Sequence, residues 1–425
     1  MRYNFKNLNV TVIGLARSGF SCALLLKRLG AKVNAVDSGS SEKLTENRNK
    51  LLKEGIKAQI GAKEIDFIAA SDIVVISPGV SEDKDFIKLA KVKKIPVISE
   101  VELGFQNCRA PVIAVTGTNG KTTVTTLIGE ILKANGKNAF VCGNIGVPFC
   151  NYAFNATEND FISLEASSFQ LEKIEEFKPR ISLILNLTPD HLDRYKSVED
   201  YLEAKKRIYL NQDKNDWLIL NYADSALKRL EKETKARVMF FNKPGEDFGD
   251  ENLNPNQRAV MAVSSLLNLD REISLKVLRD FKGIAHRMEF VRLLSGVEFI
   301  NDSKATNIDS TTWALERIRK PAIMIAGGRD KGSDFPSLRS LVKAKVKSMI
   351  VIGEAGNRIF DAFHRDIEVI KSDSLEGAIN RAYLKAQSGD CVLFSPMCKS
   401  FDMFRDYEDR GDKFKLFVNS LEEKK

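Results

Sequence analysis

PVIAVTGTNGKTT, residues 111–123, sets an apolar run, a glycine-rich turn, Lys121 and two threonines ahead of the helix-like run LIGEILKANG. Backbone N–H groups of such a turn, with the positive end of the helix that follows, form a cradle for phosphate. Lys121 is spaced to sit beside β- and γ-phosphates, and the Thr122 hydroxyl to bind the magnesium that accompanies them. The general P-loop pattern wants a glycine where this chain has Val115. What is present is the shorter form TGTNGKTT, in the strand, turn, helix context that the motif requires.

Outward from that stretch, composition bounds the answer. A chain of 425 residues, 43% hydrophobic and 29% charged, has the length of two to four domains and the balance of an ordinary globular protein. No segment approaches the roughly 18 consecutive apolar residues that span a bilayer. The opening MRYNFKNLNV runs directly into a strand pattern without a signal-peptide core, so a cytoplasmic location is expected. Cys22, Cys108, Cys142, Cys150, Cys391 and Cys398 are scattered without CxxC pairs, which argues against a zinc site or a disulfide framework and for buried thiols. The net charge of +8 is spread along the chain without an RNA-binding motif, and suits an anionic small-molecule substrate as well as nucleic acid.

Residues 8–37 read as strand, turn, helix and strand, a βαβ unit with Gly14 and Gly19 in the turn and Asp37 at the end of the second strand. The turn is G-x-A-x-x-G, with Ala16 in place of the glycine that lets a dinucleotide approach, and Asp37 is placed to hold a ribose hydroxyl. After the run SDIVVISPGV (71–80) and a charged helix, EVELGFQNCRAP reads as a connecting helix. We therefore expect three α/β domains: 1–98, Rossmann-like; 99–284, a P-loop-type ATPase domain; and 285–425, again Rossmann-like.

Each apolar run of the second and third blocks ends in polar residues: Asn144, then Glu165, then Asp190, His191 and Asp193. Glu165, late in its strand beyond the phosphate turn, is placed to hold magnesium, because a hard cation takes oxygen ligands. The flanked His191 suits either a metal or an acid–base role. Lys205 and Lys206, taken alone, read as a solvated helix face. NDSKATN (301–307) and GGRDKGSDF (327–335) are polar turns after strands, where function concentrates.

TGTNGKTT, E-x-S-S-F-Q-L-E at Glu165, N-L-T-P-D-H-L-D-R-Y, A-K-x-R-I-Y, H-R-x-E, N-D-S-K-A-T-N and G-G-x-D-K occur here in one order, and together they resemble the Mur ligase family, ATP-dependent amide-bond-forming ligases of peptidoglycan synthesis. G-L-A-R-S-G, V-V-I-S-P-G and S-P-M-C-K-S-F-D-M-F-R-D-Y-E-x-R-G are similar to the members that add D-glutamate to UDP-N-acetylmuramoyl-L-alanine. The resemblance implies a cytoplasmic, monomeric enzyme using ATP and two Mg²⁺ ions, with no nucleic-acid or membrane partner. It implies catalytic roles for Lys121, Glu165, His191 and Lys205, the last as a carbamate that, with Thr122, Glu165 and His191, surrounds the metals. ATP would meet Gly117, Thr118, Asn119, Gly120, Lys121, Thr122, Thr123, Arg287 and Asp302. The UDP substrate would meet Leu15, Ala16, Arg17, Asp37, Ser38, Asn144 and Gln170, and D-glutamate would meet Lys304, Thr306, Lys331, Ser400, Phe401 and Tyr407.

One departure is visible: where the family has H-N-x-x-N, this chain reads N-P-N-Q-R (254–258), with Arg258 at the position of the adenine-contacting Asn. Two other readings stay open on the residues alone. The first turn permits a nicotinamide-dependent redox enzyme, and the phosphate turn permits a non-catalytic ATP-binding module, against which Glu165, His191 and Lys205 argue.

Overall fold

The computed structural model describes residues 3–78, 80, 84–188, 194–245, 248–330 and 332–424. Among them the strands form three sheets. The first holds β1 (Asn9–Ile13), β2 (Lys32–Asp37), β3 (Lys57–Ile60), β4 (Ile73–Ile76) and β5 (Val97–Ser99) in the order β3-β2-β1-β4-β5, all parallel. The second holds β6 (Val112–Thr116), β7 (Asn138–Gly143), β8 (Asp160–Glu165), β9 (Ile181–Ile184), β10 (Trp217–Asn221) and β11 (Arg237–Phe241), ordered β11-β10-β9-β6-β8-β7 and again parallel. The third runs β12-β13-β17-β14-β15-β16, from β12 (Glu289–Leu294), β13 (Val297–Asn301), β14 (Ala322–Gly327), β15 (Val346–Ile352), β16 (Glu368–Lys371) and β17 (Cys391–Phe394). Only its edge pair β12–β13 is antiparallel.

Parallel strands covered by helices on both faces read as unbroken apolar runs, and Val112–Thr116 is buried at every position. The helix that follows, Lys121–Ala134, buries Val124, Leu127, Ile128, Ile131 and Leu132. That spacing of three and four gives one apolar stripe against the sheet.

By packing, the chain divides into two compact units, Met1–Phe281 and Lys282–Lys425. The first includes two sheets because one apolar cluster runs through both, from Val10 and Val75 by way of Val101 and Leu103 to Ala114, Leu164 and Phe177. The connecting helix Glu100–Gln106 is the bridge. Its buried Glu102 carboxylate accepts the peptide N–H groups of Glu175, Glu176 and Phe177 at 2.9–3.0 Å, and the Gln106 amide at 2.7 Å. In the second unit apolar clusters cover both faces of the sheet, around Met324 and Met349 and around Phe299 and Ile350.

The six cysteines are free and buried. Cys22 and Cys150 have their sulfurs 3.8 Å apart, and burial raises both thiols above their usual range. They behave as core residues.

Candidate active site

Gly120 caps the helix Lys121–Ala134 in the left-handed region (φ 84°), a conformation that costs a residue with a Cβ energy. A helix begun in this way directs its first-turn amides and its positive dipole end out of the turn. Lys121 folds back over the turn and donates to the carbonyls of Gly117 (2.9 Å) and Thr118 (2.8 Å).

The residue that shapes this turn is Asn186, just past β9. Its Oδ1 accepts from Asn119 N (2.8 Å), its Nδ2 donates to Asn119 O (3.0 Å), and its carbonyl accepts from Thr118 N (3.1 Å). Thr118 and Thr188 add a second rung, hydroxyl to carbonyl at 3.2 Å and amide to hydroxyl at 3.1 Å. The amides of Thr118 and Asn119 are thus engaged inside the fold. Reading the sequence alone missed Asn186; the signal was its place at the end of the strand beside the phosphate turn.

Lys205 contradicts the reading of a solvated helix face. Only 1% of it is exposed, on the helix Val198–Lys206; its ammonium donates to Gly117 O at 2.9 Å and lies 4.1 Å from the centroid of the Tyr201 ring. Lys121 and Lys205 therefore converge on one carbonyl. Lys206 follows the expectation better, pairing with Glu203 and Glu233 at the surface.

Glu165 ends β8, beside β6, and is 1% exposed. Asn144 donates to its Oε1 at 2.8 Å, whereas Oε2 is buried without a hydrogen-bond partner among the described residues. A buried oxygen in that condition is costly unless something binds it. Gln170 serves in the capping box of the short helix Ser168–Leu171, taking Ser167 N at 3.0 Å, and its Nε2 is likewise buried without a partner among the described residues. His191 and Lys331 lie outside the described residues.

In the first sheet, Leu15 N and Gly39 N donate to the two oxygens of Asp37 at 2.7 and 2.8 Å. Asp37 thereby brackets its own turn. A Cβ on Gly19 would lie 1.6 Å from Gly14 O, so only glycine lets the helix start this close to the strand end. Ala16, Arg17 and Ser38 stand exposed around that turn.

In the second unit Asp302, at the end of β13, accepts from Ser395 Oγ (2.8 Å) and Met288 N (3.2 Å), and burial pushes its carboxyl up to about 7. Asn301 Nδ2 reaches His286 Nδ1 and Glu289 Oε2, each at 3.0 Å, and burial lowers the pKa of the His286 ring. Arg287 lies over the Trp313 ring.

Arg410 was not singled out from the sequence. Wholly buried on the helix Tyr407–Ser420, it donates to Ser303 Oγ (3.0 Å), Ser303 O (2.7 Å) and Cys398 O (3.0 Å), and burial lowers its pKa to about 10. It pins the turn bearing Lys304 and Thr306 to the turn bearing Ser400 and Phe401. Ser400 is buried and Phe401 exposed. Tyr407 begins the helix, with Lys304 Nζ 5.8 Å from the centroid of its ring. Arg258 is turned onto the carbonyls of Leu253 (2.9 Å) and Glu251 (2.8 Å), while Asn256 is the side chain set against Gly120.

These parts have counterparts in known proteins. Residues 115–281 match the Mur ligase middle domain, residues 286–398 the Mur ligase glutamate ligase domain, and residues 8–99 the N-terminal domain described as Mur ligase MurD-like. The chain belongs to the Mur ligase family.

Among its relatives are the UDP-N-acetylmuramoylalanine--D-glutamate ligases of Thermoanaerobacter pseudethanolicus, 39% identical, and Alkaliphilus metalliredigens, 40% identical, each alignment covering 98% of this chain and 99% of the relative. The fold is shared with UDP-N-acetylmuramate-alanine ligase MurC of Thermotoga maritima (TM-score 0.61, 18% identity, covering 97% of this chain and 100% of that one). It is also shared with MurF ligase of Thermotoga maritima in complex with ADP (TM-score 0.57, 16% identity, covering 97% and 96%).

Proposed function

We propose that the protein joins D-glutamate to UDP-N-acetylmuramoyl-L-alanine at the expense of ATP, in the cytoplasmic synthesis of peptidoglycan precursors. The observation that carries this reading is near-40% identity, over almost the whole of both chains, to ligases named for that reaction. ATP passes its γ-phosphoryl group to the alanine carboxylate: a P–O bond forms to the carboxylate as the bond to the β-phosphate breaks. The D-glutamate amine then attacks the acyl carbon, loses a proton, and displaces inorganic phosphate.

Such a reaction asks for positioning and charge neutralisation. The amides from Gly120 onward would hold the phosphates, and Lys121 would leave its carbonyl partners for the γ-phosphate. Arg287 and Asp302 would hold the phosphates and ribose of ATP. Asn144 and Gln170 would orient the UDP substrate, whose uridine end would meet residues 15–17 and 37–38. Lys304, Thr306, Lys331, Ser400, Phe401 and Tyr407 would take D-glutamate.

Magnesium fits the donors present. The buried Oε2 of Glu165 and the Thr122 hydroxyl are hard oxygens near the phosphate turn. Among the described residues no group of three or more His, Cys, Asp or Glu is placed to hold a metal alone. Glu165 and Thr122, joined by His191, would therefore share two ions with phosphate oxygens and water. Bound there, magnesium supplies charge neutralisation between the two anions that must meet. Lys205 enters as its carbamate, formed when the neutral amine adds to CO₂ with loss of a proton, which replaces a buried cation by an oxygen donor.

The deciding assay supplies ATP, Mg²⁺ and UDP-N-acetylmuramoyl-L-alanine with one amino acid at a time and follows phosphate release. Release that depends on D-glutamate is expected. Release that ignores D-glutamate and responds to another amino acid would move the protein to a sibling activity.

A further inference from the structure

At the turn after β1 the backbone is held group by group. Gly14 N donates to Val36 O (2.8 Å) and Gly14 O accepts from Ser77 Oγ (3.1 Å). Leu15 N donates to Asp37 Oδ2 (2.7 Å) and Leu15 O accepts from Asn47 Nδ2 (2.8 Å). The next donor, Ala16 N–H, makes no hydrogen bond among the described residues, and Ala16 stands exposed at the N-cap of the helix Arg17–Arg28.

Asn47 lies half-buried in the middle of the helix Glu42–Lys53, 32 positions from the carbonyl it holds. Asparagine is a poor residue for a helix interior, so helix propensity does not account for it there. Its contact has a geometric consequence. Among the described residues no peptide bond is cis, and in a trans peptide the carbonyl and the following N–H point in opposite directions. Fixing Leu15 O on the Glu42–Lys53 helix therefore turns Ala16 N–H away from that helix. Asp37, whose other oxygen takes Gly39 N (2.8 Å), sets a carboxylate one residue from this donor. A phosphate would meet its repulsion, whereas a neutral ring carbonyl would not.

We propose that Asn47 is a positioning residue for the uridine end of the substrate: by holding Leu15 O it aims Ala16 N–H at a carbonyl oxygen of the uracil ring. Asn47 acts through the Leu15 peptide and touches no part of the nucleotide. The inference rests on the reading of residues 15–17 and 37–38 as the place where the uridine end binds.

The probe is UDP, titrated calorimetrically into full-length protein saturated with ADP and Mg²⁺, so that the phosphate turn is already filled. The amide resonances of ¹⁵N-labelled alanine locate the contact. Wild type should bind UDP with a saturable shift of the Ala16 amide. Asn47→Ala should weaken UDP binding about tenfold, the worth of roughly one hydrogen bond. Asn47→Asp, which sets a carboxylate instead of an amide donor against Leu15 O, should weaken it at least as much, and neither variant should change the affinity for ADP. A purely structural asparagine would instead lower the unfolding midpoint and leave the UDP affinity of the folded protein as it was. The proposal is overturned if both variants bind UDP as the wild type does, or if UDP shifts other alanine amides and leaves Ala16 still. A wild type that does not bind UDP at all would overturn the uridine reading of the turn, and this inference with it.

Discussion

The ends of β6 and β13 are both polar turns after buried strands, and they are held in shape by opposite means. At β6 the turn is held by neutral groups, the Asn186 amide and the Thr118–Thr188 pair, while the cations Lys121 and Lys205 rest on one carbonyl. At β13 the charges themselves are the scaffold: Arg410 is consumed by Ser303 and Cys398, and Asp302 by Ser395 and the Met288 amide. Each turn has a buried cation on a backbone carbonyl, Lys205 on Gly117 O and Arg410 on Cys398 O, and the two differ in what fixes their outline: neutral amide and hydroxyl pairs at β6, a buried guanidinium and carboxylate at β13.

The contrast is broken most directly at Lys121. Lys121→Ala should cost on the order of a thousandfold in turnover, read by phosphate release, with little change in the unfolding midpoint.

Arg410→Met should do the reverse. Leaving Ser303 O and Cys398 O without their donor should cost about 3 kcal/mol in stability, measured by urea unfolding, and should raise the KM for D-glutamate more than that for ATP. If turnover falls while stability is untouched, the scaffold role is wrong.

Asp302 sharpens the comparison through pH. Its carboxyl releases a proton at about 7 when folded, against about 4 in an unfolded chain. Between those limits the folded state holds the extra proton, so stability falls as pH rises. Wild type should lose about 2 kcal/mol more than Asp302→Asn between roughly pH 5 and 8, with unfolding midpoints across that range as the measure.

The smallest effect belongs to Asn186→Ala. It should weaken ADP binding about tenfold, roughly 1.4 kcal/mol, by calorimetry, while Asn186→Asp, which keeps the acceptor for Asn119 N, should recover part of the loss.

The alternation of strands and helices, the phosphate turn and the position of Glu165 were legible because they rest on local periodicity and on backbone needs that only certain residues meet. Lys205 was misread because pattern alone cannot say that a lysine next to an exposed lysine points inward; the carbonyl of Gly117, 88 positions away, decides it. Asn186 and Arg410 were passed over for the same reason, since their partners are distant backbone groups that leave no trace in composition. Asp37 was legible at its strand end, whereas the amides of Leu15 and Gly39 that its two oxygens accept were not.

Glu102 has a consequence for how the molecule comes apart. By tying three consecutive peptide groups, 175–177, to the helix that leads out of the first sheet, it links two nucleotide-binding-like layers into a single cooperative foldon. Amide hydrogens at those three positions should then exchange only with the global opening of the first 281 residues, and a fragment cut between the two sheets should expose them.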